Sequence, residues 1–279
     1  MPKIYILLPT HNRKEITRAF VECLKAQTFV DYHLVLIDDG STDGTAEMVK
    51  VSIPSATVLR GTGDWWWAGS LQQGLSWLKG QRVKDDALVL FINDDVSFEP
   101  DYLESAVRVM ADKQGVLVLS RYKDPLSGDI HESGVAADLR WLTFKVAASA
   151  VQINCLSTRG LFVHWADVKK IGDFHPTLLP HYQSDYEYTI RAHRKGLKCE
   201  TSADLFIVPN YETTGYHVIS EKNFITFLRK KFSKKSNVNP VYWSSFIVLT
   251  ADSIWAIINL ARIWAGACRS IFKAIFLGR

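Results

Sequence analysis

The chain has 279 residues, 47% of them hydrophobic, and a formal net charge of +4. That is enough apolar material for a full core, which excludes a disordered tail, and so mild a basic excess argues for a local anionic partner and against nucleic-acid binding. Cys23, Cys155, Cys199 and Cys268 have no CxxC or metal-ligand spacing, which fits reduced, structural thiols in a cytoplasmic compartment.

The first half of the chain alternates. Apolar runs predict strands at 3–8, 33–37, 56–59 and 87–92, with helices near 14–27, 43–51 and 69–79 between them. Such alternation builds a sheet with right-handed crossovers and helices on its faces. The first strand runs straight into Pro9 without a small-residue cleavage pattern, so no secretory leader is expected. Farther on, the pattern predicts a helix near 100–112 and a strand at 115–120, then a few short strands within 121–160. A helix after Asp167, a helix over 185–195 ending at Gly196, and strands at 197–200 and 205–208 follow.

Two strands end in acid. One delivers Asp38-Asp39-Gly40-Ser41-Thr42-Asp43-Gly44, and the unbroken run Leu88-Val89-Leu90-Phe91-Ile92 delivers Asn93-Asp94-Asp95. In open α/β sheets ligands bind outside the carboxyl ends of strands, so two acidic tips point to one shared polar ligand. Hard oxygen ligands on a rigid strand tip suit a divalent cation.

The order Pro9-Thr10-His11-Asn12-Arg13, then Asp38 to Thr45, then Asn93-Asp94-Asp95, then Ser184-Asp185-Tyr186-Glu187 resembles the inverting family 2 glycosyltransferases of the GT-A fold, over residues 3–218. The resemblance implies an α/β fold, with a Rossmann-like mixed sheet flanked by helices as a catalytic domain over 1–220. It implies a nucleotide-sugar donor with Pro9 lining the base pocket, Asp39 accepting from the base imide, and Arg13 approaching a phosphate or the base edge. Asn93-Asp94-Asp95 takes the place of the family's Asp-x-Asp motif. Asp95 would ligate Mg²⁺ or Mn²⁺, Asp94 would meet ribose or a metal-bound water, and Asn93, on the donor side, removes one charge. His217 matches the histidine that completes the metal site in several members, with His131, His164 and His181 as other candidates. Such a cation stabilises the departing diphosphate.

Aligning on Arg191 and Gly196 puts the general base at Asp185, where Ser184 replaces the family's usual preceding acid; Glu187 would contact the acceptor or Arg191. Gly63-Asp64-Trp65-Trp66-Trp67-Ala68-Gly69-Ser70 resembles the loop beside the donor sugar. Aromatic faces stack on sugars, so Asp64 and Trp67 are assigned to the donor and Trp66 to the acceptor. Thr158-Arg159-Gly160 falls near the diphosphate and acceptor by the same resemblance.

After residue 220 the chain changes character. Arg229, Lys230, Lys231, Lys234 and Lys235 precede an apolar, aromatic stretch from Val241 to Phe276. Drawn as one helix, it gathers Asp252, Asn259, Arg262, Arg269 and Lys273 into a narrow stripe. Residues 221–279 therefore read as a helical appendage that contacts a membrane surface or packs on the catalytic domain or a homodimer mate; Asp252 and Arg262 argue against a span. The expected whole is an enzyme peripheral to the inner face of the cell membrane. It would move sugar from a UDP- or dTDP-sugar to a hydroxyl of a glycan or polyprenyl-linked acceptor in surface-polysaccharide synthesis. A nucleotidyltransferase of related fold lacks support because no Gly-rich, Lys-containing N-terminal loop is present; a catalytically silent glycan- or lipid-binding scaffold is the rival of another class.

Overall fold

Leu88 to Phe91 is apolar at every position, so a strand made from it needs cover on both faces. A computed structural model, describing residues 1–210 and 223–276, supplies that cover. In chain order it contains β1 (Ile4–Thr10), α1 (Lys14–Lys25), β2 (Tyr32–Asp38), α2 (Thr45–Ser52), β3 (Thr57–Arg60), α3 (Trp66–Lys79), β4 (Leu88–Phe91), β5 (Val96–Ser97) and α4 (Tyr102–Met110). There follow β6 (Val116–Lys123), β7 (Ile130–His131), β8 (Val135–Asp138), β9 (Thr143–Val146), β10 (Leu161–His164), α5 (Trp165–Ile171), α6 (Ser184–Arg194) and β11 (Lys198–Pro209). The chain continues with α7 (Phe224–Lys231), α8 (Pro240–Thr250) and α9 (Ser253–Phe276).

Among the described residues the main sheet runs β3-β2-β1-β4-β10-β6-β11-β5, with β7 on the side of β6. The four strands β1 to β4 are parallel, β10 enters antiparallel between β4 and β6, and β11 lies parallel to β6. Alternate residues face opposite layers. Ile4, Ile6, Leu8 and Leu90 pack toward α1, α2 and α4; Leu7, Ile37, Val89 and Phe91 pack toward α3, α5 and α6.

Several expectations need correction. Leu161–His164 is a fully buried central strand that four residues ahead of a helix did not announce, and α5 accordingly begins at Trp165, before Asp167. The last two strand segments are one strand, β11, with an irregularity between Ser202 and Phe206. α3 starts at Trp66, so two of the three tryptophans belong to its first turn.

The appendage is three helices, broken at Ala251-Asp252. Of its polar stripe Asn259 alone is buried, while Asp252, Arg262, Arg269 and Lys273 are exposed at the edge of the contact. Asp252 pairs with Arg194 at 3.2 Å, the Asn259 amide donates to the Leu139 carbonyl at 2.8 Å, and Arg262 donates to the Arg140 carbonyl with its guanidinium 4.9 Å over Trp141. Large apolar side chains are left outward: Ile254, Ile257, Trp264, Phe272, Ile275 and Phe276 are 43–70% exposed. No helix among the described residues is long and apolar enough to cross a membrane.

Candidate active site

The sheet's acidic tips meet beyond β1, β2 and β4. Asp94 is 5% exposed, and its carboxylate accepts from Thr17 Oγ1 at 2.8 Å, Thr10 Oγ1 at 3.3 Å and Arg13 Nε at 2.9 Å. Asp94, expected to meet ribose or a metal-bound water, here positions Arg13 at the end of β1. Burial raises the Asp94 carboxyl above its ordinary range even though Arg13 pulls the other way.

Arg13 in turn extends to Asp95, 3.4 Å from Oδ2, and Arg159 approaches the same oxygen at 3.7 Å. Arg159 reaches there because Gly160, at φ +87°, turns the chain between two strand tips, donating to the Phe91 carbonyl while its own carbonyl accepts from Ser120 N. A side chain at Gly160 would press on Ser120 and Tyr102 at 3.2 Å. Asn93 is half-buried beside this cluster, and Pro9 is buried, in register with Ile37.

Asp95 Oδ1 is buried and without a hydrogen-bond partner among the described residues. Those residues contain no group of three His, Cys, Asp or Glu fit for a metal. Mg²⁺ needs none: it is commonly held by one or two carboxylates plus substrate phosphates and waters. An orphaned carboxylate oxygen beside two guanidiniums fits that donor set. His217 lies outside the described residues. Of the other histidines, His164 is buried with its ring nitrogens against the Asp86 and Met110 carbonyls, His131 is exposed on β7, and His181 lies beside Trp66.

Asp39 organises the tryptophan loop. Its carboxylate accepts from Gly63 N at 2.8 Å and from Trp65 N and Trp66 N at 2.9 Å. The loop comes so close that a Cβ at Gly61 would stand 2.5 Å from Asp39 Oδ1. Within the loop the three indoles part company. Trp65 and Trp67 lean on the core, and Trp67 Nε1 donates to Thr158 Oγ1 at 3.1 Å. Trp66, held at φ +57°, turns outward, donates to the exposed Asp64, and meets His181 edge-on at 5.8 Å. A non-glycine residue in left-handed backbone is strained, and Gln183 at φ +63°, just before α6, is another.

Asp185 sits in the first turn of α6, half-buried, accepting from Tyr186 N and from the Thr158 backbone N–H. Burial lifts its carboxyl from 3.8 to about 6, against these bonds and the charge of Arg159. Asp185 and Asp95 are linked through one loop: Asp185 accepts from the Thr158 backbone N–H, and the next residue, Arg159, reaches Asp95 Oδ2 at 3.7 Å. A carboxylate titrating near 6 is suited to taking a proton from a hydroxyl near neutrality. Glu187 is different. It is 1% exposed and bound at both oxygens by Arg191, at 2.7 and 3.0 Å, while Arg191 also donates to the Ile171 and Asp173 carbonyls. Of the two contacts expected for Glu187, acceptor or Arg191, the structure shows Arg191, in a buried brace between α6 and the segment after α5.

Residues 5–138 match the Glycosyl transferase family 2 model. An uncharacterized glycosyltransferase of Haemophilus influenzae is 30% identical over 105 residues, 38% of this chain and 33% of its own length. The S. aureus TarS structure superposes with a TM-score of 0.59 at 17% identity, covering 90% of this chain and 49% of TarS. The mannosyltransferase PcManGT from Pyrobaculum calidifontis, in complex with GDP-Man and Mn²⁺, gives 0.58 at 17% identity over 98% of this chain and 81% of its own. This chain thus spans about a third of the curated relative and about half of TarS. With its acidic strand tips at the head of a mixed sheet, the chain carries a glycosyl transferase family 2 match over residues 5–138 and has the GT-A fold of these solved structures.

Proposed function

We propose that the protein is an inverting transferase that moves a sugar from a UDP- or dTDP-sugar to a hydroxyl of a lipid-linked glycan during surface-polysaccharide synthesis, working at a membrane surface. The observation that carries this reading is the half-buried Asp185, bonded to the Thr158 backbone N–H directly before the Arg159 that reaches Asp95, with burial lifting its carboxyl to about 6. The acceptor oxygen attacks the anomeric carbon from the Asp185 side as the bond to the diphosphate oxygen breaks. Asp185 takes the acceptor's proton, and the nucleoside diphosphate leaves on the Asp95 side with inversion.

Arg13 and Arg159 are placed to receive the diphosphate as charge-assisted donors, and Asp95 Oδ1 to hold Mg²⁺ or Mn²⁺ against it. When bound, that cation supplies charge stabilisation to the leaving group. Asp39 Oδ1, which carries one backbone bond, has capacity left for a base N–H beside Pro9. Trp67 serves the donor sugar and Trp66 the acceptor. Solved relatives hold UDP, UDP-GlcNAc or GDP-Man, which supports a nucleotide-sugar donor.

The large apolar side chains exposed along α9, interspersed with the exposed Arg269 and Lys273, support contact with a membrane surface. A panel of nucleotide sugars, scored for nucleoside diphosphate release with detergent-solubilised lipid acceptors, tests the reading. Acceptor-dependent release by the parent chain, abolished in Asp185→Asn with nucleotide binding retained, is the expected result; indifference to that substitution marks a silent scaffold.

A further inference from the structure

The basic run that follows α7 lies against the tryptophan loop. Lys234 Nζ donates to Asp64 at 2.5 Å, and the ammonium groups of Lys234 and Lys235 stand 5.9 and 5.7 Å from the centre of the Trp66 ring. The segment is fixed by its own bonds: Ser236 N donates to the Ser233 carbonyl, Asn239 Nδ2 to the same carbonyl at 3.2 Å, and Trp243 Nε1 to the Asn237 carbonyl at 2.8 Å.

Trp66 also meets His181, which opens the loop leading four residues later to Asp185, and Ala68 N ties the two loops by donating to the Pro180 carbonyl. Lys235 is exposed and has no carboxylate partner among the described residues. His181 Nδ1 and Ser236 Oγ, next to these lysines and to Trp66, are buried without a hydrogen-bond partner among those residues. Charge is concentrated here. Residues 223–279 hold nine Lys and Arg against one Asp, a net +8, whereas the whole chain is only +4.

A pair of ammonium groups on an indole face, at the entrance to the proposed base, is suited to a phosphate group arriving with the acceptor. We propose that Lys234, Lys235 and Trp66 form a subsite for the diphosphate that joins the acceptor glycan to its lipid. The inference rests on the transferase reading and deepens it. With His181 against Trp66 and α6 opening three residues after it at Ser184, the diphosphate lies a few sugars at most from the reacting hydroxyl. The enzyme therefore acts on a short lipid-linked acceptor, and the reaction that supplies it belongs to the class that transfers a sugar phosphate onto a lipid phosphate.

The test uses the full chain in neutral detergent micelles with a saturating nucleoside diphosphate filling the donor site, and compares binding of farnesyl diphosphate with farnesol. The parent should prefer the diphosphate by roughly tenfold to thirtyfold, and a Lys234→Gln/Lys235→Gln variant should lose that preference. An Arg269→Gln/Lys273→Gln variant on α9 should keep it. Absence of the preference in the parent, its survival in the lysine variant, or its loss in the α9 variant overturns the proposal. So does a lysine variant that loses only its binding to phosphatidylglycerol vesicles, because the phosphate recognised is then that of a bilayer headgroup. Nucleoside diphosphate binding, titrated separately, tells the two readings apart: if it is intact and the diphosphate preference absent, the subsite alone fails, and if it is absent, both fail.

Discussion

Arg159 stands 3.7 Å from Asp95 while its charge also reaches Asp185, so one guanidinium acts on both carboxylates. Replacing it by Gln should weaken nucleoside diphosphate binding by about tenfold to a hundredfold, the range of one charge-assisted bond. It should also raise the acid limb of the pH–rate profile, because Arg159 holds the Asp185 carboxyl down. Calorimetric titration reads the first effect and kinetics the second. An Arg159 that merely supports the loop would change stability and leave the acid limb in place.

Asp185 sets the pH dependence. Transfer needs its ionised form, so the rate should fall tenfold per pH unit below about 6 and be level above it. Asp185→Asn should lower transfer by about 10²–10⁴-fold with nucleotide binding retained.

Stability should move the other way. The folded-state pKa is raised above 3.8, so the fold favours the protonated acid; this contribution is fully present below pH 3.8 and lost as pH rises through about 6. At pH 7.5 the ionised group then costs up to about 3 kcal/mol, less what partial solvent access returns. Asp185→Asn should therefore raise Tm at pH 7.5 by a few degrees and make no difference at pH 4. An unchanged Tm at pH 7.5 would mean that water reaches the carboxylate freely.

Asp95 Oδ1, buried and unpartnered among the described residues, predicts a metal-dependent increment in affinity. Mn²⁺ should tighten nucleoside diphosphate binding in the parent chain, and Asp95→Asn should abolish the increment while binding without metal, carried by Arg13 and Arg159, persists. Equal Mn²⁺ dependence in both proteins would remove Asp95 from the metal site.

The sequence made the strand tips legible because a fully apolar run broken by consecutive carboxylates has few other uses, and β1 to β4 lie where the alternation placed them. β10 was not legible, since three apolar residues and a histidine leading into a helix give no period to count, and with it went the reason Arg159 sits over Asp95. The fates of Asp94 and Glu187 were hidden for another reason: an acid near a site looks the same in sequence whether it faces ligand or grips an arginine. Only burial and the bonds from Arg13 and Arg191 separate them. The polar stripe of α9 was legible as a stripe, but a helical period does not say which side faces the protein.

That side decides the last prediction. With Asn259 buried against the Leu139 carbonyl and Ala267 buried beside it on the helix, α9 rests on that side, and Ile257 and Phe272 are left 70% and 58% exposed. Each such side chain gains about 1.5–3 kcal/mol when fully buried, and part of that on entering a lipid interface. An Ile257→Asp/Phe272→Asp variant, altered only at exposed positions, should keep its Tm and its nucleotide binding. Its partition onto phosphatidylglycerol-containing vesicles should fall by tenfold or more, while Asn259→Leu, which removes an inward bond, should lower Tm instead. If the aspartate pair leaves vesicle binding intact but converts a dimer to monomer in sedimentation, the apolar side belongs to a second copy of the chain, because lipid would be indifferent to oligomeric state and a paired helix would not.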